Sequence, residues 1–336
     1  TTEIYTLSLH DALPICPAGT PSALRTAVEA GADAVYCGFQ DETNARNFPG
    51  LNFTAVELQE GIAYAHRRGV KVLVAINTFA RAGGIELWQR AVETSVRARA
   101  DALILADIGI LAWARRNFPE QRLHLSVQAA ATTPSAIRFY VERYGVKRIV
   151  LPRVLTVDEI ATLIAAIPCE AEVFAFGGLC VMTEGRCQLS SYATGESPNM
   201  NGVCSPAAHV EYRQEGSELA ARLGGFTIDR YPEGQPAAYP TLCKGRFKVH
   251  GKVQHIFEEP TSLDTLPLLP ALKKAGVTAL KIEGRQRGKA YLAATVRAFR
   301  NALDALEAGA APAASRLDAF TEGGRGTTGA YRKTWR

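Results

Sequence analysis

The sequence predicts an α/β protein, a (β/α)8 TIM-barrel-like domain with a long cysteine-bearing insertion between strands 7 and 8. Three observations predict it. Short β-branched runs alternate with amphipathic stretches, as in repeated β/α units. Eight such runs occur, and up to the seventh the links are short, which favours a closed barrel over the alternative of a doubly wound open sheet. About a hundred residues rich in Gly, Pro, Ser and Asn, 178–279, then separate the last two runs, and a connection of that length in a compact domain is functional or disordered.

The expected strands, in order, are Leu13–Cys16, Ala34–Phe39, Lys71–Asn77, Ala102–Asp107, Leu123–Gln128, Arg148–Arg153, Glu170–Gly177 and Leu280–Arg285. The first is compromised by its surroundings. Thr6–Ile15 reads TLSLHDALPI, which looks like a translated sequencing adapter, so residues 1–15 are taken as a non-native leader and left out of the fold argument. Without Glu3 and Asp11 the formal charge of +5 becomes +7.

The helices between the strands carry their own boundaries. Thr54 with Glu57, and Thr156 with Glu159, have the spacing of capping boxes. Thr133-Pro134 opens a helix with Pro at its favoured first position, and Gly145 ends it. After the last strand, Leu292, Val296, Phe299 and Leu303 form one stripe of a helix over Tyr291–Leu306. The domain expected is 16–308, including the insertion 178–279, with an Ala/Gly-rich, loosely ordered tail at 309–336.

Composition excludes several classes. With 47% hydrophobic and 21% charged residues the chain is that of a soluble globular protein. The longest apolar stretch, Ala102–Ala114, is interrupted by Asp107 and too short to cross a bilayer. The mild positive charge permits an anionic substrate, but no basic stripe with interleaved aromatics is visible, so nucleic acid is not expected as a partner. Seven cysteines without a secretory leader point to the reducing cytoplasm, where grouped cysteines serve metals rather than disulfides.

Barrel enzymes work at the carboxyl ends of their strands. Here those ends are polar: Asn77, Asp107, Gln128, Arg153 and Arg285. On the eighth strand Lys281, Glu283 and Arg285 alternate with Leu280, Ile282 and Gly284, which puts three charges on one face. If that face is the lumen, the charges are paired in a structural network or engage a ligand. Arg153, Lys281 and Arg285 suit the carboxylates of an anionic co-substrate, and Glu283 an acid–base role. Asn44 and Arg46, after the second strand, are further candidates to line the site, with Asn77 and Gln128.

The cysteines carry the strongest signal. Cys180 follows the seventh strand, and Cys187, Cys204 and Cys243 come after it at successive gaps of seven, seventeen and thirty-nine residues. Four thiolates complete either an iron–sulfur cubane or a tetrahedral zinc site. The absence of tight Cys-x2–4-Cys knuckles and of ligating histidines favours iron and sulfur. Cys16, Cys37 and Cys169 read as core or near-core residues.

Glu172–Ser190, EVFAFGGLCVMTEGRCQLS, resembles the signature of the U32 family, whose members were first labelled peptidases. Glu172, Phe174, Gly177, Cys180, Gly185, Cys187 and Ser190 match its fixed positions, and Gly178 stands where many members have Ser or Ala. Further blocks run from Cys16 to Arg287: CPAGTPSALRTAVEAGADAVYCGF, TNARNFPGLNF, SSYATGESPN, GVCSPA, YPTLCKGRF, EEPTSL and KIEGRQR. Together they are similar to the branch of the family that serves oxygen-independent ubiquinone biosynthesis.

The resemblance implies one [4Fe–4S] cluster on Cys180, Cys187, Cys204 and Cys243. It implies a heterodimer with a second U32 protein (UbiV-like), which carries its own cluster. The activity implied is O2-independent hydroxylation of the aromatic ring of a ubiquinone precursor, with prephenate as oxygen donor and a lipid-carrier protein delivering the precursor. The departures are the overwritten amino terminus and the tail GTTGAYRKTWR. Three other readings stand beside it. Proteolysis has the old family label behind it, but no HExxH helix, GxSxG elbow or Cys–His pairing. RNA hydroxylation is performed by relatives in the family. A structural zinc scaffold would use the same thiols.

Overall fold

Eight parallel strands close on one another in this computed structural model, which describes residues 13–182, 184, 187–201, 203–311 and 317–332. The barrel alternates β1 (Leu13–Pro17), α1 (Pro21–Glu29), β2 (Ala34–Cys37), α2 (Ala55–His66), β3 (Lys71–Ile76), α3 (Glu86–Arg97) and β4 (Ala102–Leu105). It continues through α4 (Ile108–Asn117), β5 (Leu123–Leu125), α5 (Pro134–Tyr144), β6 (Arg148–Val150), α6 (Val157–Ala165) and β7 (Glu170–Gly178). The insertion contributes α7 (Leu189–Thr194), α8 (Pro198–Asn201), a meander of β8 (Val210–Glu215), β9 (Glu218–Leu223) and β10 (Phe226–Pro232), and a hairpin of β11 (Arg246–Val249) and β12 (Lys252–His255). The chain returns through β13 (Ser262–Asp264) and α9 (Leu269–Lys274) to β14 (Ala279–Ile282), then α10 (Lys289–Glu307) and β15 (Gly326–Thr327). β14 closes the barrel by pairing in parallel with both β7 and β1.

The leader expected at 1–15 overlaps the barrel. Leu13, Pro14 and Ile15 are in register with Ala279, Leu280 and Lys281, and Ile15 is fully buried, an apolar run doing what apolar runs do beside a strand edge. Residues 1–12 of that leader lie outside the described residues.

Local signals act where the sequence places them. Thr54 and Thr156 each accept from the third residue of their helix, and Glu57 and Glu159 reach back to close both boxes. Gly145 caps α5 at φ 69°, a left-handed turn that costs glycine nothing. Leu292, Val296, Phe299 and Leu303 on α10 are buried against the barrel, each contributing about 1.5–3 kcal/mol.

Several expected strands are shorter than their polar ends suggested. β5 stops at Leu125 and the chain turns into a 3-10 helix over Val127–Ala129. β6 stops at Val150, three residues before Arg153. β14 stops at Ile282, after a register shift following Lys281, so Glu283 and Arg285 leave the ladder as loop residues. Asp107 is the N-cap of α4: its carboxylate accepts from the Gly109 and Ile110 amides, and from Ala80 at 3.0 Å.

Residues 317–332, expected to be loosely ordered, pack on the barrel. β15 pairs with β13, and the Tyr331 hydroxyl donates to the Phe174 carbonyl at 2.7 Å. Glu322 forms an ion pair with Lys244 of the insertion, and its amide donates to the Ser262 hydroxyl at 2.8 Å.

The lumen is divided. β1 to β4 fill it with Ile15, Ala34, Tyr36, Leu73, Ala75, Ala102 and Ile104, all in one buried cluster with Ala279. On the other side stand His124, Arg148, Glu172 and Lys281, every one at least nine-tenths buried. Charge there is paired along a line. Arg122 binds Glu170 at 2.6 Å, Glu170 binds Arg148 at 2.7 Å, Arg148 lies 3.6 Å from Glu172, and Glu172 binds Lys281 at 2.6 Å.

Candidate active site at the barrel mouth

A cavity of about 360 Å³ lies between the carboxyl ends of the strands and the insertion, at the lower end of the range for small-molecule sites. Its floor is barrel and its roof is insertion. Gly177 at the end of β7 makes the junction possible. Its φ is +124°, and a Cβ there would lie 2.8 Å from that of Glu283.

Of the expected floor residues, Arg46, Asn77, Gln128, Arg153, Lys281, Glu283 and Arg285 all line this cavity. The three charges of the eighth strand are therefore brought to one place, but two of the cations are already occupied. Arg153 donates to Glu184 at 2.8 Å and to the Gly178 carbonyl at 2.5 Å, forms an ion pair with Glu283, and stacks 4.1 Å over Phe174. Lys281 holds Glu172 and lies 3.8 Å over the Tyr36 ring. Burial lowers the Lys281 pKa, with Glu172 opposing it. Arg153 and Lys281 are thus held within the barrel rather than left open for a carboxylate, and Glu283 serves first as the counter-ion of Arg153.

Arg285 differs. It is 8% exposed, yet its neighbours are the Asn44 side-chain carbonyl at 2.6 Å and the Tyr36 ring at 5.0 Å, with no ion pair among the described residues. Its Nε has no hydrogen-bond partner. Burial lowers its pKa, and the half-buried Arg46, likewise without an ion pair among the described residues, lowers it further. Two cations side by side without counter-ions are costly unless an anion joins them. Gln128, 4% exposed, adds a side-chain oxygen with no partner.

Asn44 is not among the residues lining the cavity. It is fully buried, donating to the Phe39 carbonyl at 3.1 Å and accepting from Arg285 and from the Arg46 amide. Its place is behind Arg285, which it orients. Asn77 lines the cavity and accepts from the Ala45 amide at 3.0 Å, so it also fixes the loop that carries Arg46.

Cys180, Cys187, Cys204 and Cys243 all line the same cavity as the arginines. Burial pushes the Cys180 thiol up to about 12, with Arg153 pulling the other way. Burial likewise pushes Cys243 up to about 12, and the charges of Cys180 and Cys204 add to it. Cys204 is raised by burial and by Cys187 while Arg46 and Arg153 oppose. Four thiols that feel one another's charge are neighbours, and a bound cation centre is what lets such thiols ionise together. Among the described residues, no three His, Cys, Asp or Glu side chains are gathered closely enough to hold a metal ion. The donor set is right for a cluster, and the roof is not closed around a single point. A single tetrahedral ion needs its sulfurs about 2.3 Å from one centre, whereas a cubane receives each thiolate on a different iron.

Cys16 and Cys37 are fully buried in the core, and Cys169 packs against its edge. No histidine lines the cavity: His66 pairs with Asp101, His209 with Glu196, and His255 contacts the Lys244 carbonyl. Sequence patterns did not single out Glu184, Lys244 or Tyr36. Glu184 and Lys244 belong to irregular segments without periodicity, and Tyr36 reads as one more apolar residue of a strand.

Comparison with known proteins places these features. The model of peptidase family U32 matches residues 19–325. The chain is 34% identical over 316 residues to tRNA hydroxylation protein P of Escherichia coli (strain K12), covering 88% of this chain and 68% of that protein. It is 31% identical over 304 residues to the 23S rRNA 5-hydroxycytidine C2501 synthase of the same organism, covering 90% of this chain and 40% of that one. It is 27% identical over 310 residues to a protein named collagenase from Porphyromonas gingivalis (strain ATCC BAA-308 / W83), covering 89% and 67%. The chain thus spans about two thirds of the first relative and two fifths of the second. With the family match running from α1 through the rest of the barrel and all four thiols, the chain belongs to peptidase family U32.

Proposed function

We propose that this chain is the cluster-bearing part of an oxygen-independent hydroxylase acting on an aromatic ring, and that the ring belongs to a base of RNA. The observation that carries the reading is the cavity itself, lined both by four thiols and by an arginine pair, Arg46 and Arg285, that has no ion pair among the described residues. Cys180, Cys187, Cys204 and Cys243 would hold a [4Fe–4S] cluster, which supplies one-electron chemistry. Arg285 and Arg46 would take the carboxylates of the oxygen donor, with prephenate the donor the family resemblance implies. Tyr36 and Phe174 offer aromatic faces beside them. RNA is favoured as the ring's source by the names of the first two relatives, both hydroxylation proteins.

A second reading is favoured by the blocks of sequence similar to UbiU, the ubiquinone-branch member of the family. In it the ring is that of a quinone precursor, a UbiV-like subunit completes the enzyme and a lipid-carrier protein delivers the substrate. The cavity chemistry is the same. No helix among the described residues is long and apolar enough to cross a membrane, and a cytoplasmic site of action fits seven cysteines without a disulfide.

The test is a deletion strain grown without oxygen. Nucleoside mass spectrometry of its tRNA and rRNA is expected to lack one hydroxylated base, restored by the wild-type gene. Arg285→Ala should restore it poorly, with the KM for the carboxylate donor raised roughly 10- to 100-fold, the worth of a charged hydrogen bond. Intact RNA with accumulated unhydroxylated quinone precursor moves the assignment to the second reading. Normal RNA and normal quinones together refute the hydroxylase.

A further inference from the structure

The cavity is too small for more than a ring and a donor, so an RNA substrate must rest on a surface outside it. We infer that this surface is the outer face of the insertion, where unpaired bases stack on aromatic side chains and the β11–β12 hairpin meets phosphates. The inference rests on the RNA reading above.

Exposed apolar side chains are concentrated there. Of the eleven large ones exposed among the described residues, seven lie in 178–279, which is less than a third of the chain. Most of the seven are aromatic. Tyr192 on α7 is 82% exposed and stands 5.9 Å from the ring of Phe226. Tyr212 on β8 and Tyr239 are near enough for one to raise the other's pKa, and Tyr212 donates to the carbonyl of Ala238. Rings half in water bury poorly against protein but stack on any base, which is how single-stranded RNA is held.

The hairpin supplies the charge. Residues 245–257 contain Arg246, Lys248 and Lys252 and no Asp or Glu. Arg246 is taken by Asp229, while Lys248 and Lys252 are exposed and have no ion pair among the described residues. They flank a tight turn in which His250 and Gly251 both have positive φ, 48° and 79°, so the two cations sit on opposite faces of its tip. Phe257 is exposed at the hairpin's base.

This surface is continuous with the site. The hairpin springs from Cys243 and returns to it, the Glu258 amide donating to the Cys243 carbonyl at 3.3 Å. Tyr239, exposed on this surface, also lines the cavity. A base flipped from a loop held on the rim would enter between the thiols and the arginines.

The test uses the cluster-loaded protein, a labelled RNA stem-loop and a duplex RNA of equal length, with binding read by fluorescence anisotropy over a range of salt. Wild type is expected to prefer the stem-loop. Lys248→Glu with Lys252→Glu should weaken binding at least tenfold and flatten the salt slope by about two. Tyr192→Ala with Phe226→Ala should weaken it about tenfold with the salt slope unchanged. Thermal melting checks that each variant is folded. Variants that bind the stem-loop as wild type does overturn the surface while leaving RNA as substrate. Wild type that ignores RNA but binds anionic vesicles or a second protein through these residues overturns it as well. Absence of RNA hydroxylation in the deletion strain test is a separate failure, that of the reading beneath.

Discussion

Arg153 and Lys281, on the floor of the cavity, are both held by carboxylates: Glu184 of the insertion and Glu283 for one, Glu172 of β7 for the other. The thiols of the roof have no such arrangement. They line one space, the pKa of Cys180, Cys204 and Cys243 is raised by burial and by neighbouring thiols, and among the described residues no three are gathered closely enough to hold a metal ion. The floor is braced by eight hydrogen-bonded strands. The roof hangs from loops, and the packed core beneath it is small, Ala193, Leu223 and Ile228 with Val210 and Leu242 beside them. A preorganised floor fixes the donor, while a looser roof leaves its final geometry to the metal it is proposed to bind.

The sharpest way to break this comparison is at the roof. Cys180→Ala is expected to abolish the cluster, read as loss of iron and sulfide after anaerobic purification, with activity down by a factor of 100 or more. Because the floor is held by its own strands and ion pairs, the barrel of the variant should keep its far-UV spectrum and cooperative melting. Full iron and sulfide in the variant would remove Cys180 from the ligands. Collapse of the barrel would show that the floor depends on the roof.

Next comes the floor. Glu172 is fully buried and is the partner of Lys281, with Arg148 3.6 Å away. Glu172→Gln leaves Lys281 without its carboxylate, while Arg148 keeps Glu170, and breaking a buried pair costs about 3–5 kcal/mol. Urea denaturation is the measurement. A loss below about 1 kcal/mol would mean that water or backbone already screens these charges.

What could be read in advance follows the same division. The barrel was legible because its strands are continuous apolar runs and its helices carry caps at Thr54, Thr133 and Thr156. The ends of strands were not, since a polar residue such as Gln128, Arg153 or Arg285 looks the same on the last rung of a ladder or in the loop after it. The four cysteines were legible as a group because thiols are scarce and chemically specific. That Arg46 and Arg285 would be left without carboxylates, while Arg153 and Lys281 were satisfied, depends on Glu172 and Glu184, which are distant in the chain. β8 escaped notice because its burial shows no alternation, both faces being largely exposed. No basic stripe was visible for the same kind of reason: Lys248 and Lys252 lie far in the chain from Tyr192 and Phe226, whose rings come together only in the folded insertion.

A smaller effect separates the two sides of the lumen. His124 is 1% exposed, and its Nε2 accepts from the Arg122 guanidinium at 2.9 Å, which a protonated ring could not do. Its pKa lies well below the usual histidine value, through burial first and the nearby cations Arg148 and Arg122 second. The unfolded chain takes up this proton near pH 6.5 and the folded barrel does not. Stability is therefore complete above about pH 6.5 and declines as pH falls below it, by about 1.4 kcal/mol per unit until the folded-state pKa is reached. Melting curves between pH 7 and pH 5 should show the slope, and His124→Gln should remove its share. An unchanged slope would place the acid sensitivity elsewhere, in the carboxylates of the paired side.

The smallest effect tests whether the barrel owes its firmness to local signals as well as to packing. α2 begins with a complete capping box, Thr54 accepting from the Glu57 amide at 3.3 Å and Glu57 accepting from the Thr54 amide at 2.9 Å. α7, in the roof, begins at Leu189, and Gln188 before it makes no side-chain cap. Thr54→Ala should therefore cost about 1 kcal/mol, and Gln188→Ala close to nothing. A thermal shift measured on the two variants compares the two helix starts. If the two substitutions cost the same, the barrel's helices are held by their buried faces, and the contrast between a locally specified floor and a loosely specified roof has to rest on packing.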